Sequence, residues 1–89
     1  MRILIEIKEQ AIQLSLIRKE KQIDILEFSG NHNLSEILLG KIDELMVKNE
    51  LKFSDIKKMT VKSNIPDNLT TVRIAKIVAK TFNFSKDVN

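Results

Sequence analysis

Apolar and polar residues alternate through the N-terminal third of the chain. Ile3, Ile5 and Ile7 are separated by Leu4 and Glu6, and Ile12, Leu14 and Leu16 by Gln13 and Ser15. Ile23 and Ile25 flank Asp24 in the same way. A period of two with β-branched residues predicts half-buried strands. The polar breaks Lys8-Glu9-Gln10 and Arg18-Lys19-Glu20-Lys21 are short, which predicts three strands in an antiparallel meander. One face of that sheet is then aliphatic, and Glu6, Lys8, Gln13, Ser15 and Asp24 lie on the other.

Beyond the loop Ser29-Gly30-Asn31-His32-Asn33 the period changes. Asn33 and Glu36 have the spacing of a capping box, and apolar residues recur at helical spacing from Leu34 to Asn49. A polar link from Glu50 to Lys58 carries Leu51, Phe53 and Ile56 as inward anchors. Met59-Thr60-Val61 reads as a fourth strand, Pro66-Asp67-Asn68 as a turn and helix cap, and Leu69 to Phe82 as a second helix. The order β-β-β-α-β-α predicts an α/β domain with a mixed four-stranded sheet. The fourth strand lies beside the first and both helices cover one face, as in half of a ribonuclease-H-like fold.

At about 100° per residue, Arg73, Lys76, Lys80 and Asn83 of the second helix share one polar sector of roughly 80°. Leu69, Val72, Ile74, Ala75, Ile77, Val78, Ala79 and Phe82 occupy nearly all the rest. A helix lying on a sheet needs an apolar stripe of only ~100–140°. The first helix is also broad, adding Leu39 and Met46 to the stripe Leu34, Leu38, Ile42 and Leu45. Helix-on-helix packing absorbs part of this surplus. The remainder points to another protein chain.

Composition narrows the picture further. The 89 residues predict a single domain, 1–89, and the absence of Cys excludes a disulfide framework, a thiolate metal site and a cysteine nucleophile. Fifteen Lys and Arg against 12 Asp and Glu give a net charge of +3, too dispersed to indicate nucleic acid alone. Glu6 and Lys8 interrupt the apolar N-terminus too early for a signal peptide or membrane span, so a cytoplasmic protein is expected.

The run Leu34-Ser35-Glu36-Ile37-Leu38-Leu39-Gly40-Lys41-Ile42-Asp43-Glu44-Leu45-Met46 resembles the first helix of the TsaB (YeaZ) family, HSERLLPxIDELL. Leu51-Lys52-Phe53-Ser54-Asp55-Ile56 is similar to that family's LxLSDL link. The segment from Ser63 to Ala75 is similar to its GxGPGSFTGLRIG motif, and Met1-Arg2-Ile3-Leu4 to its opening. The resemblance spans nearly the whole chain but only the first part of the family's architecture. It implies a non-catalytic subunit that pairs through its two helices with a TsaD-type paralogue, in forming threonylcarbamoyladenosine on tRNA. A homodimer through the same surface is the close variant.

Departures from the family matter as well. Ser63, Ile65, Asp67 and Thr71 stand where the motif has glycines, while Pro66, Thr70 and Arg73 are kept. Ile7 occupies the place of the acidic residue that follows the first strand in sugar-kinase and actin-like relatives. No nucleotide, metal or other cofactor is therefore expected. Family members continue into a fifth strand and a helix over the sheet's other face. The polar residues expected on that face suggest a reduced protein rather than a truncated one.

For the partner contact the expected residues are Leu39, Met46, Ile74, Ile77, Val78 and Thr81, with Val72, Ala75, Ala79 and Phe82 turned to the sheet. Arg73, Lys76 and Lys80 form a basic ridge. It either pairs with the acidic row Glu36, Asp43 and Glu50 or contacts polyanions, which makes a small RNA-binding module, or indirect tRNA contact within an assembly, the alternative function. Glu6, Glu36 and Asp67 come from elements that supply the carboxylates of ribonuclease-H-like nucleases. Glu6 should face away from both helices, so convergence on metal ions, and with it an enzyme, is not expected. His32, the sole histidine, is expected to be a solvated loop residue.

Overall fold

The structure, a computed structural model, describes residues 1–9, 11–29, 33–66 and 69–88, the last four of these by backbone alone. Strands β1 (Arg2–Ile7), β2 (Ile12–Arg18) and β3 (Lys21–Phe28) precede helix α1 (Leu34–Lys48). A 3-10 turn at Phe53–Asp55, strand β4 (Lys58–Ser63) and helix α2 (Thr70–Val88) follow. The sheet order is β3-β2-β1-β4, antiparallel across the first three strands and parallel between β1 and β4. A parallel neighbour requires a crossover, which α1 and its link supply. The expected α/β order is thus present, with β4 longer than anticipated and α2 continuing beyond Phe82 to Val88.

The core lies between the sheet and the two helices. Ile3, Ile5 and Ile7 of β1 meet Ile12, Leu14 and Leu16 of β2, because alternate residues of a strand share one face. From above, Leu34, Leu38, Ile42 and Leu45 project at helical spacing from α1, and Val72, Ala75 and Ala79 from α2. The small Ala75 and Ala79 let α2 settle closely on β4 and β1, while α1 packs against β3 and against α2. Ile56 is the fully buried anchor of the link.

Two reversals of the chain are made without glycine. Lys19 (φ 50°) and Glu20 (φ 65°) form the two-residue connection of the β2–β3 hairpin, with positive φ at both positions as in a type I′ turn. At the end of α1, Glu50 takes φ 55°. There the Leu51 N–H donates to the Met46 carbonyl at 2.9 Å and the Glu50 N–H to the Val47 carbonyl at 3.0 Å, the paired bonds of a Schellman motif.

Sequence and structure part at three places. Ile17 pairs with Gln22 but Leu16 with Asp24, so Ile23 is an extra residue that bulges from β3. A shift of one residue exchanges the faces of a strand. Asp24, Leu26 and Phe28 therefore lie on the helix side, opposite Leu16, Leu14 and Ile12, whereas Ile23 and Ile25 are 45% and 42% exposed. Second, Ser15 is buried on the open face, in a cross-strand row Thr60–Leu4–Ser15–Ile25. Neither Ser15 Oγ nor Thr60 Oγ1 has a hydrogen-bond partner among the described residues. That face is therefore mixed, with Leu4, Ile17 and Ile25 among Glu6, Lys8, Gln13 and Glu27. Third, Asn33 adopts φ 52° and makes no side-chain cap bond; only its carbonyl engages α1, accepting from the Ile37 N–H at 3.0 Å. The left-handed backbone turns the Asn33 side chain from the position a capping box requires. The expected loop through Gly30, Asn31 and His32 and the helix cap at Asp67 and Asn68 lie outside the described residues.

Candidate partner interface

Helices α1 and α2 lie side by side, and each turns a second apolar row away from the sheet. Next to the buried stripe of α1 run Leu39, Met46 and Val47; next to that of α2 run Ile77, Val78 and Thr81. The rows face each other across a groove of about 630 Å³ whose floor is Ile42, Met59 and Phe82. Leu51 and Phe53 of the link close one end. The Phe53 and Phe82 rings meet at a centroid distance of 4.8 Å and an interplanar angle of 54°, a tilted aromatic pair. Leu39 is 56% exposed, Phe53 47%, Ile77 62% and Val47 67%. Four large apolar side chains this exposed around one concave surface exceed the scatter normal for a small protein.

Five of the six residues expected at the contact, Leu39, Met46, Ile77, Val78 and Thr81, line this groove. Ile74 does not; it is half-buried and packs against the core. Val72, Ala75 and Ala79 face the sheet as expected, but Phe82 belongs to the groove floor. Val47 escaped the sequence reading. Leu51 and Phe53, expected as inward anchors of the link, line the groove instead, Phe53 being 47% exposed because it packs on Phe82 rather than under the helices. The Schellman motif folds Leu51 back towards Met46, and its usual signal, a glycine in the left-handed position, is absent here.

Arg73, Lys76 and Lys80 are exposed along α2. Neither Arg73 nor Lys80 pairs with Glu36, Asp43 or Glu50; ion pairs form instead between Arg2 and Glu20, Lys8 and Glu27, Lys41 and Glu44, and Lys48 and Asp24. Glu50 is displaced from the acidic row because α1 ends at Lys48. Lys76 and Lys80 instead line a second groove with Val61, Ala79, Asn83 and Phe84.

Asp24 is the carboxylate whose surroundings perturb it most visibly. The Asn49 side-chain amide donates to it at 3.0 Å and the Ile25 N–H at 2.8 Å, with Lys48 Nζ at 3.3 Å. These donors, Asn49 foremost, hold its carboxyl below the ordinary carboxylate range against a smaller opposing effect of burial. Glu6 sits on the open face of the sheet and Glu36 on α1 across the core, while Asp67 and His32 lie outside the described residues. Among the described residues no three His, Asp or Glu side chains are grouped to hold a metal ion, and no helix is long and apolar enough to cross a membrane.

The segment resembling the family's glycine-rich motif is anchored by its own serine. Ser63 Oγ donates to the Ile65 carbonyl at 2.9 Å and accepts from the Ile65 N–H at 3.1 Å. A hydroxyl thus holds the turn between β4 and α2 at a position the resemblance aligns with a glycine.

The fold is that of YeaZ-like structures. YeaZ from Pseudomonas aeruginosa superposes with a TM-score of 0.76 at 18% identity, over 98% of this chain and 41% of its own. A crystal structure of an uncharacterized protein with similarity to peptidase YeaZ from Pseudomonas aeruginosa gives 0.77 at 18% identity, over 98% and 40%. The chain thus spans about two fifths of the length of these structures. No family model and no curated protein matches it.

Proposed function

We propose that this protein is a non-catalytic scaffold subunit that binds a folded partner through the groove between α1 and α2. The observation that carries this reading is the exposure of Leu39, Val47, Phe53 and Ile77 around one concave apolar surface. Burying that surface would stabilise a complex by roughly 25 cal/mol per Å² of apolar area removed from water, before the costs of association. The YeaZ-like fold and the motifs of α1 and its link support a TsaD-type chain as the partner, and thereby a place in tRNA threonylcarbamoyladenosine formation. A second copy of the chain would fill the same groove in a two-fold dimer. The subunit contributes apolar area and orientation, and its own residues supply no chemical step.

The test is sedimentation of the protein alone and mixed with a TsaD-type protein from the same source. A stoichiometric heterocomplex, or a dimer of the protein alone, is expected. Ile77→Glu should abolish it while circular dichroism stays unchanged, because Ile77 is mostly solvent-exposed; Val78→Glu should do the same from the half-buried side. A protein that remains monomeric in both experiments, or assembly indifferent to Ile77→Glu, would overturn the reading.

A further inference from the structure

The outer edge of β4 is closed at one point by a side chain and open at the next. The Met59 N–H donates to Asn83 Oδ1 at 3.0 Å, and Asn83 Nδ2 donates to the Met59 carbonyl at 2.8 Å. This is the pair of bonds that a residue of an adjacent strand would make. Asn83, held by α2, therefore occupies one position of a strand next to β4. On the other side of β4, the Asn64 N–H donates to the Ile7 carbonyl of β1 at 3.1 Å. Even-numbered residues thus face β1, and Val61 is the next residue whose backbone groups point outward. Val61 opens into the second groove, bordered by Ala79, Lys80 and Phe84.

Charge indicates what fits there. Lys58 and Lys62 project from β4 on the open face of the sheet, and Lys76 and Lys80 stand on the helix side of the same edge. Among the described residues the ion pairs engage neither Lys58, Lys62 nor Lys80. A second copy pairing here would bring these lysines against their own counterparts, and lysine on an edge strand is a known bar to self-pairing. A chain with carboxylates on neighbouring residues meets the opposite situation, because successive side chains of a strand point to opposite faces and so in turn to the two lysine pairs.

We propose that the β4 edge is a docking site for an extended acidic segment of another protein. The segment adds as a strand whose backbone pairs with Val61, its carboxylates lying between Lys58 and Lys62 on one face and Lys76 and Lys80 on the other. Main-chain bonds supply affinity and the lysines supply selectivity, as in strand addition generally. The site is separate from the α1–α2 groove and stands whether or not that groove binds a scaffold partner.

The probe is a labelled, end-capped heptapeptide, Val-Glu-Glu-Val-Glu-Glu-Val, which as a strand carries carboxylates on both faces. Its lysine–valine counterpart, an N-methylated version and a uridine oligonucleotide serve as comparisons. Fluorescence anisotropy is expected to show binding of the glutamate peptide alone, and amide exchange to slow at Val61. Charge reversal by Lys62→Glu together with Lys80→Glu should weaken binding about tenfold, as expected for losing several exposed ion pairs. Ile77→Glu should leave binding unchanged. Absence of binding, equal binding of the N-methylated peptide, or preference for the oligonucleotide would each overturn the proposal.

Discussion

Asn49 joins the end of α1 to the sheet through Asp24. Its side-chain amide donates to Asp24 Oδ2 at 3.0 Å and to the Leu45 carbonyl of its own helix at 2.8 Å. One residue thus serves both as the helix terminus and as the contact that receives β3 after its bulge. The bulge at Ile23 turns Asp24 towards α1, and Asn49 with Lys48 makes that placement favourable for a carboxylate.

A pH dependence follows from this contact. The folded-state pKa of Asp24 is depressed, so the unfolded chain binds the proton more readily. The contribution of Asp24 to stability is therefore complete well above the ordinary value of about 3.9 and is lost as pH falls through its folded-state pKa. Urea midpoints at about pH 7 and about pH 3 should fall further apart in the wild type than in Asp24→Asn.

Glu50 should be a site of easy stabilisation. It holds φ 55° in the Schellman motif, a conformation that costs a non-glycine residue about 1 kcal/mol. Glu50→Gly is expected to raise the melting temperature by about 4–8 °C for a domain of this size. A lower melting temperature would mean that the Glu50 side chain stabilises the motif by more than its strain costs.

Ser15 offers a second such position. Its hydroxyl is buried without a hydrogen-bond partner among the described residues, between Leu4 and Ile25 on neighbouring strands. Ser15→Ala removes a desolvated polar group at little loss of volume and should stabilise the fold by about 1 kcal/mol, read from the urea midpoint. Leu38→Ala, in the buried stripe of α1, should by contrast cost about 2–5 kcal/mol.

The aromatic pair of the groove separates folding from assembly. Phe53 is 47% exposed and touches Phe82, so Phe53→Ala should cost the isolated chain only about 1 kcal/mol. In a complex that covers the groove the same substitution should weaken binding by about tenfold or more. Calorimetric titration with the partner, beside thermal melts of the chain alone, distinguishes the two effects.

The order of elements, the aliphatic face of β1 and β2 and the buried stripe of α1 were legible in the chain itself. Each is a local periodicity: two for Ile3, Ile5 and Ile7, near 3.6 for Leu34, Leu38, Ile42 and Leu45. The surplus of apolar positions on the helices, and five of the twelve residues lining the groove, were legible for the same reason. What only the tertiary structure decided are the relations that depend on distant partners. The face of β3 is set by a bulge against β2, the edge of β4 by an asparagine from α2, and the closed end of the groove by a left-handed Glu50. Residue patterns report which positions avoid water; they do not report a one-residue slip, whose energy lies in contacts between Asp24 and Asn49, 25 residues apart.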